Sequence, residues 1–165
     1  MTLDEVIVTV LLKQEVSLET LTAMVYLCQK AGIKLDCKYK YSGSRLRSPE
    51  IEHMVDGLDS TGVLSENSIL HCTAKADDYK YILKSYSDES ALNRVFHVSS
   101  QVTADDLIYL TILDKVTQEA VNSLPPDRLL KKKGYLISTV GLLTGNNSAD
   151  DFNTGLGILR FLQEG

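Results

Sequence analysis

Between Lys38 and Arg47 the chain reads KYKYSGSRLR, four cations in ten residues with no acid among them and Tyr39 and Tyr41 interleaved. Lysine and arginine at this density can hold a small anion or the acidic face of a partner. Tyrosine adds contact area with a polar tip, as interfaces favour. Lys38, Lys40, Arg45, Arg47, Tyr39 and Tyr41 are therefore the candidate partner-binding residues. The competing reading is an ordinary solvated strand and turn whose cations balance the acidic stretch that follows. That stretch, Pro49 to Ser60, sets Glu50, Glu52, His53, Asp56, Asp59 and Ser60 outside its apolar stripe. A helix reading DNA from this face would bring four carboxylates against phosphates, with no Arg, Lys, Asn or Gln to address a base edge.

Other chemistry-bearing residues form no motif. His53, His71 and His97 are far apart and have no neighbouring acid or cysteine arrangement. Cys28, Cys37 and Cys72 are odd in number and lack close ligand spacing, so reduced thiols are expected and a metal site is not. Gly141 to Gly145 lacks the Lys-Ser/Thr of a phosphate loop, and no G-x-S-x-G occurs. Lys131, Lys132 and Lys133 read as a solvated helix end. The expectation is no catalytic residue, no cofactor and no metal.

The elements that position these residues are marked by their ends. Thr2 and Glu5 have capping-box spacing ahead of Leu3, Val6, Ile7, Val10 and Leu11 at helical period, a first helix ending near Gln14. Ser17 caps a second, with a stripe of Leu18, Leu21, Met24, Val25 and Cys28 and Gly32 as its stop. Residues 33 to 41 alternate weakly and read as a short strand, followed by a turn at Ser42–Ser44. Ser48, Pro49 and Glu50 open a third helix, Ile51, Met54, Val55 and Leu58 give its stripe, and Gly62 ends it. Val63–Leu64, Ser65–Ser68 and Ile69–Thr73 read as strand, turn and strand. Three helices and a hairpin in this order predict a winged helix-turn-helix over residues 1–75.

Residues 76–165 read as a helical region packed on it. Tyr79, Ile82, Leu83 and Tyr86 make one stripe, and Leu92, Val95 and Phe96 a second. Thr103 and Asp106 resemble a capping box and open a strong helix through Leu107, Ile108, Leu110, Thr111, Leu113 and Asp114. Leu124–Asp127 breaks the chain at two prolines. Tyr135–Leu143 is apolar, and a last helix from Asp150 to Gln163 contains Gly155 and Gly157, which predict close packing or fraying. The fold class expected is α+β, mostly helical.

Composition bounds the function. The 165 residues are 44% hydrophobic and 24% charged, with a net charge of −5 spread over both halves. Such a chain builds a core and has no general attraction to nucleic acid or anionic membrane. No apolar run approaches the ~18 residues of a membrane span, and no signal peptide is seen, so a cytoplasmic location is expected.

Two segments carry a resemblance: LETLTAMVYLCQKAGIKL, followed by YKYSGSRLRSPEIEHMVDGLDSTGVLS. They resemble the opening of the YwgA-like bacterial proteins and the related Panacea (SocA-like) antitoxin domains, over roughly residues 18–73. The shared pattern is K-L-x-K-L-x-Y-L, an aromatic strand, G-P-Y-S-x-x-L-x-x-D-L-x-x-L-x-x-x-G-L, then a wing. Tyr26 and Leu27 match its Tyr-Leu, Ser48 its Ser, Ile51, Val55 and Leu58 its leucines, and Gly62–Leu64 its close. The segment DLIYLTIL, ending at Leu113, is similar to a later helix of the YwgA-like members. Arg45–Leu46–Arg47 stands where the family has Gly-Pro-Tyr, and Met54 where it has aspartate. The resemblance implies a small non-enzymatic binding protein that neutralises or delivers a protein partner. The leading expectation is thus a non-catalytic interaction module of the antitoxin, adaptor or inhibitor type. The alternative is a DNA-binding transcriptional regulator, with a homodimer among the open oligomeric states.

Overall fold

The computed structural model describes residues 1–81, 86–123 and 133–164. It is mostly helical, with two small antiparallel sheets, an α+β architecture. In chain order the elements are α1 (Leu3–Lys13), α2 (Leu18–Lys30), β1 (Lys40–Ser42), β2 (Arg45–Arg47), α3 (Pro49–Ser60), β3 (Leu64–Glu66) and β4 (Leu70–Cys72). A 3-10 helix (Ala74–Tyr81), α4 (Tyr86–Gln101), α5 (Ala104–Ser123), α6 (Lys133–Thr144) and α7 (Ala149–Gln163) follow. The breaker at Leu124–Asp127, Ile82 and Leu83 of the expected stripe, and Lys131 and Lys132 of the expected helix end lie outside the described residues, and Lys133 opens α6 instead of closing a helix. Among the described residues no helix is long and apolar enough to cross a membrane.

Local chemistry explains the ends. The Glu5 carboxylate accepts the Thr2 amide at 2.9 Å, and Ser17 Oγ accepts the Thr20 amide at 3.2 Å. Both α2 and α3 close with the same pair of bonds. Gly32 N–H reaches Gln29 C=O and Ile33 N–H reaches Cys28 C=O, while Gly62 and Val63 do the same to Asp59 and Leu58. This closure needs positive φ at the residue after the cap, and Gly32 (+112°) and Gly62 (+76°) supply it. The capping box of α5 forms in both directions, Thr103 N–H to Asp106 Oδ2 at 2.9 Å and Asp106 N–H to Thr103 Oγ1 at 3.1 Å.

Helix α2 is the centre of the molecule. Every residue from Thr20 to Cys28 is buried, because α1, α4, α5, α7 and β2 all pack on it. The stripe expected from sequence is one face, and Thr22, Ala23, Tyr26 and Leu27 form another that is equally enclosed. A helix buried on all sides must satisfy its polar groups internally. Thr22 does so by donating to Leu18 C=O at 2.8 Å. Arg94 of α4 ties two helix ends together, donating to Ala31 C=O at 2.8 Å after α2 and to Leu162 C=O at 3.0 Å in α7. A cation on exposed carbonyls at helix C-termini also complements the dipole.

Two expectations change. The strand between α2 and α3 covers only Lys40–Ser42, and it pairs with a second strand, Arg45–Arg47, as a hairpin. The segment after β4, Ala74–Tyr81, is a 3-10 helix where helical period was expected. Thr73 Oγ1 donates to the carbonyls of Gly62 and Val63, Lys75 Nζ to Thr61 C=O, and Tyr79 Oη to Asp4 at 3.0 Å. The start of the segment is thus anchored to the end of α3 and its far part to α1. The β3–β4 hairpin gains a third strand edge from Val16, which bridges Leu70 antiparallel, the Leu70 amide donating to Val16 C=O at 2.8 Å.

Candidate functional site

The β1–β2 hairpin holds the expected basic stretch, and its members separate. Arg45 pairs with Glu19 at the start of α2. Arg47 grips Glu52 of α3 with two parallel bonds, Nε to Oε1 at 2.7 Å and Nη2 to Oε2 at 2.9 Å. The Arg47 hydrogen bond and charge hold the Glu52 carboxyl below its usual range. Lys38 and Lys40 stay exposed and form no ion pair among the described residues. Four cations in sequence thus become two free ones in space.

Strand alternation would put i and i+2 on one face; the two tyrosines part because Tyr39 precedes β1, which begins at Lys40, and only Tyr41 lies in the strand. Tyr39 turns inward, its ring edge-on to Tyr26 at 4.8 Å. Its hydroxyl is buried beside the Cys37 thiol without a well-formed hydrogen bond, and burial drives its pKa upward. Tyr41 turns outward, donates to Glu119 Oε2 of α5 at 3.0 Å and carries Lys115 Nζ 5.1 Å above its ring. It pins the hairpin to α5.

On α3 the phase is as read: Ile51, Val55 and Leu58 are buried. The outward side chains are Glu50, Glu52, His53, Asp56, Asp59 and Ser60. Ser48 stands at the N-cap position, but its hydroxyl donates to the Glu50 carboxylate at 3.0 Å instead of capping an amide. Glu50 also accepts the Lys38 amide at 3.3 Å, and its own backbone amide does most to hold its carboxyl low. At the other end of α3, Asp59 accepts the Glu66 amide at 3.2 Å. The Glu66 carboxyl is raised, first by burial and then by the charge and hydrogen bond of Asp56. The acidic face thus continues from α3 onto β3. His53, His71 and His97 fall on α3, β4 and α4 respectively. Among the described residues no three His, Cys, Asp or Glu side chains form a metal-type cluster.

A second polar centre joins α2 to α5, and the sequence reading passed over it. Asp114, 4% exposed in the middle of α5, accepts Tyr26 Oη at 2.6 Å and Gln118 Nε2 at 3.0 Å, and pairs with Lys30 Nζ at 2.9 Å. Burial, with the Asp114 charge second, raises the Tyr26 hydroxyl far above its ordinary value, so it acts only as a donor. A signal was present. Asp114 falls at i+3 and i+4 from Thr111 and Leu110, on the face that Leu107 and Leu113 bury. A carboxylate in that phase requires partners.

The chain matches no protein-family model, no curated protein and no solved structure. Its class is therefore defined by its own architecture: a mostly helical α+β protein with an acidic α3 face and a buried Tyr–Asp–Lys centre.

Proposed function

We propose that this protein is a non-catalytic protein-interaction module of the antitoxin, adaptor or inhibitor type, built on a winged helix-turn-helix and working in the cytoplasm. On this reading α1, α2 and α3 are its three helices, β3–β4 is the wing, and the Val16–Leu70 bridge supplies the third strand edge such a wing leans on. The resemblance to the YwgA-like and Panacea proteins is in keeping with that role. The observation that carries the proposal is the outer face of α3, where Asp56 and Asp59 are exposed and Glu50 and Glu52 half-buried; α3 itself bears no Lys or Arg, and Arg47 of β2 neutralises Glu52 alone. A partner for this face is a cationic protein surface, since like-charge contact costs several kcal/mol.

The test is capture from the native host with the wild-type chain and an Asp56→Lys, Asp59→Lys variant. A protein held by the first and lost by the second is the expected result. The same capture by both, or none by either, removes α3 from the proposed interface. A DNA-binding regulator is the second reading, favoured by the order of helices and wing. Its cations would have to come from Lys38 and Lys40, beside α3 and not on it.

A further inference from the structure

We propose that the cleft between α2, α5 and α7 is a binding site for a small organic anion bearing a carboxylate or phosphate group, independent of what α3 binds. Lys30 stands in the last turn of α2 with its side chain 13% exposed. An ammonium has three donors, and Asp114 takes one of them. Asp114 is itself satisfied by Tyr26 and Gln118, so it does not absorb the rest.

Lys30 lines two neighbouring cavities of about 350 and 410 Å³, and Gln118 and Gln163 also border both. The first is also bordered by Lys115, the second by Arg160. Lys115 divides its charge with Glu119 at 3.0 Å, while Arg160 is exposed, with no ion pair among the described residues. The walls therefore hold three cations against the single, already paired carboxylate of Asp114, in a chain whose net charge is −5. A concave site with an excess of one sign of charge, here positive, concentrates the opposite ion. The volume is that of small-molecule sites, and too small for a folded partner.

Two further atoms refine the ligand. Gln29 Oε1 and Tyr39 Oη are buried without hydrogen-bond partners, and both side chains belong to the wall of the first cavity. Buried polar atoms are normally paired. An acceptor and a hydroxyl in need of partners, beside Lys30, fit an anion that also carries an N–H or O–H donor.

The experiment is calorimetric titration of the full chain at low salt with inorganic phosphate, malate and glycerol 3-phosphate. At least one is expected to bind one-to-one with Kd below about 1 mM. A phosphate-bearing probe binding alone assigns the site to phosphate groups, and malate alone assigns it to carboxylates. Lys30→Met would leave Asp114 unpaired and threaten the fold, so the variant is Lys115→Gln with Arg160→Gln, checked for native circular dichroism. Loss of both cations should raise Kd by about tenfold or more, as charged hydrogen bonds are lost. In the wild type the side-chain amide signals of Gln118 and Gln163 should shift on saturation. No saturable binding up to about 10 mM, an unchanged Kd in the double variant, or shifts confined to other residues would each overturn the site.

Discussion

Removing the charge of Asp114 perturbs three partners at once. In Asp114→Asn the backbone and shape are kept, and Tyr26 still finds an acceptor, but Lys30, 13% exposed, loses its counter-ion. Breaking a buried pair from one side costs about 3–5 kcal/mol. Lys30 lies beside open clefts and can turn its ammonium toward water, so the lower end, about 3 kcal/mol, is expected. Tyr26→Phe removes one bond to a charged acceptor and leaves Asp114 two donors, for about 1.5–3 kcal/mol. Lys30→Met leaves the carboxylate with neutral donors only and should resemble Asp114→Asn. Because these residues share one network, the Lys30→Met, Asp114→Asn double variant should lose less than the sum of the singles, by at least about 1 kcal/mol. Urea unfolding at constant m gives all four values. A loss under about 0.5 kcal/mol for Asp114→Asn, or additivity within that range, would show that the centre does not hold α2 to α5.

Other substitutions probe other parts. A Cβ at Gly155 would stand 2.5 Å from Leu113 Cδ2, so Gly155→Ala should cost about 1–3 kcal/mol by overpacking. Gly157 has open space around it, so Gly157→Ala should gain about 0.5–1 kcal/mol from helix propensity; urea midpoints moving the same way would misplace α7. Reversing the exposed Lys38 and Lys40 beside α3 to Glu should speed association with a cationic partner and steepen its salt dependence, and unchanged kinetics would remove the hairpin from the neighbourhood of that contact. Glu66 is raised above 4.5 in the folded state, so its contribution to stability is full below that value and is lost as pH rises through the folded pKa. Glu66→Gln should therefore raise the urea midpoint at pH 7 relative to wild type, and a lowered midpoint would contradict the crowding of Asp56 and Glu66.

Elements with chemically marked ends were legible: α2 between Ser17 and Gly32, α3 between Pro49 and Gly62, and α5 from Thr103. Burial on a second face of α2 was not, since Thr22, Ala23 and Tyr26 look neutral until α4 and α5 cover them. Strand β2 is three residues long with only Leu46 buried, too short for alternation to register. The basic stretch misled for a related reason. Its neutralising acids, Glu19 and Glu52, lie on the two flanking helices, and no count along the chain brings them near. Asp114 was visible in sequence as a carboxylate in an apolar phase, but its partners Tyr26 and Lys30 come from a helix more than eighty residues earlier.

If the protein is an interaction module, α3 faces a protein and not a duplex. Duplex DNA carries one charge per ~1.7 Å, and a protein neutralising six to ten phosphates loses roughly 10³–10⁵ in affinity between 50 and 200 mM salt. Helix α3 bears no Lys or Arg with which to begin that exchange, and Arg47 of β2 beside it is already bound to Glu52. The direct measurement is titration of the purified chain with random and genomic duplexes at both salt concentrations. Weak, shallow-sloped binding without sequence preference is the predicted result. Sequence-specific binding tighter than about 10⁻⁷ M at 200 mM, beyond the usual non-specific range, would contradict it and make the protein a DNA-binding regulator.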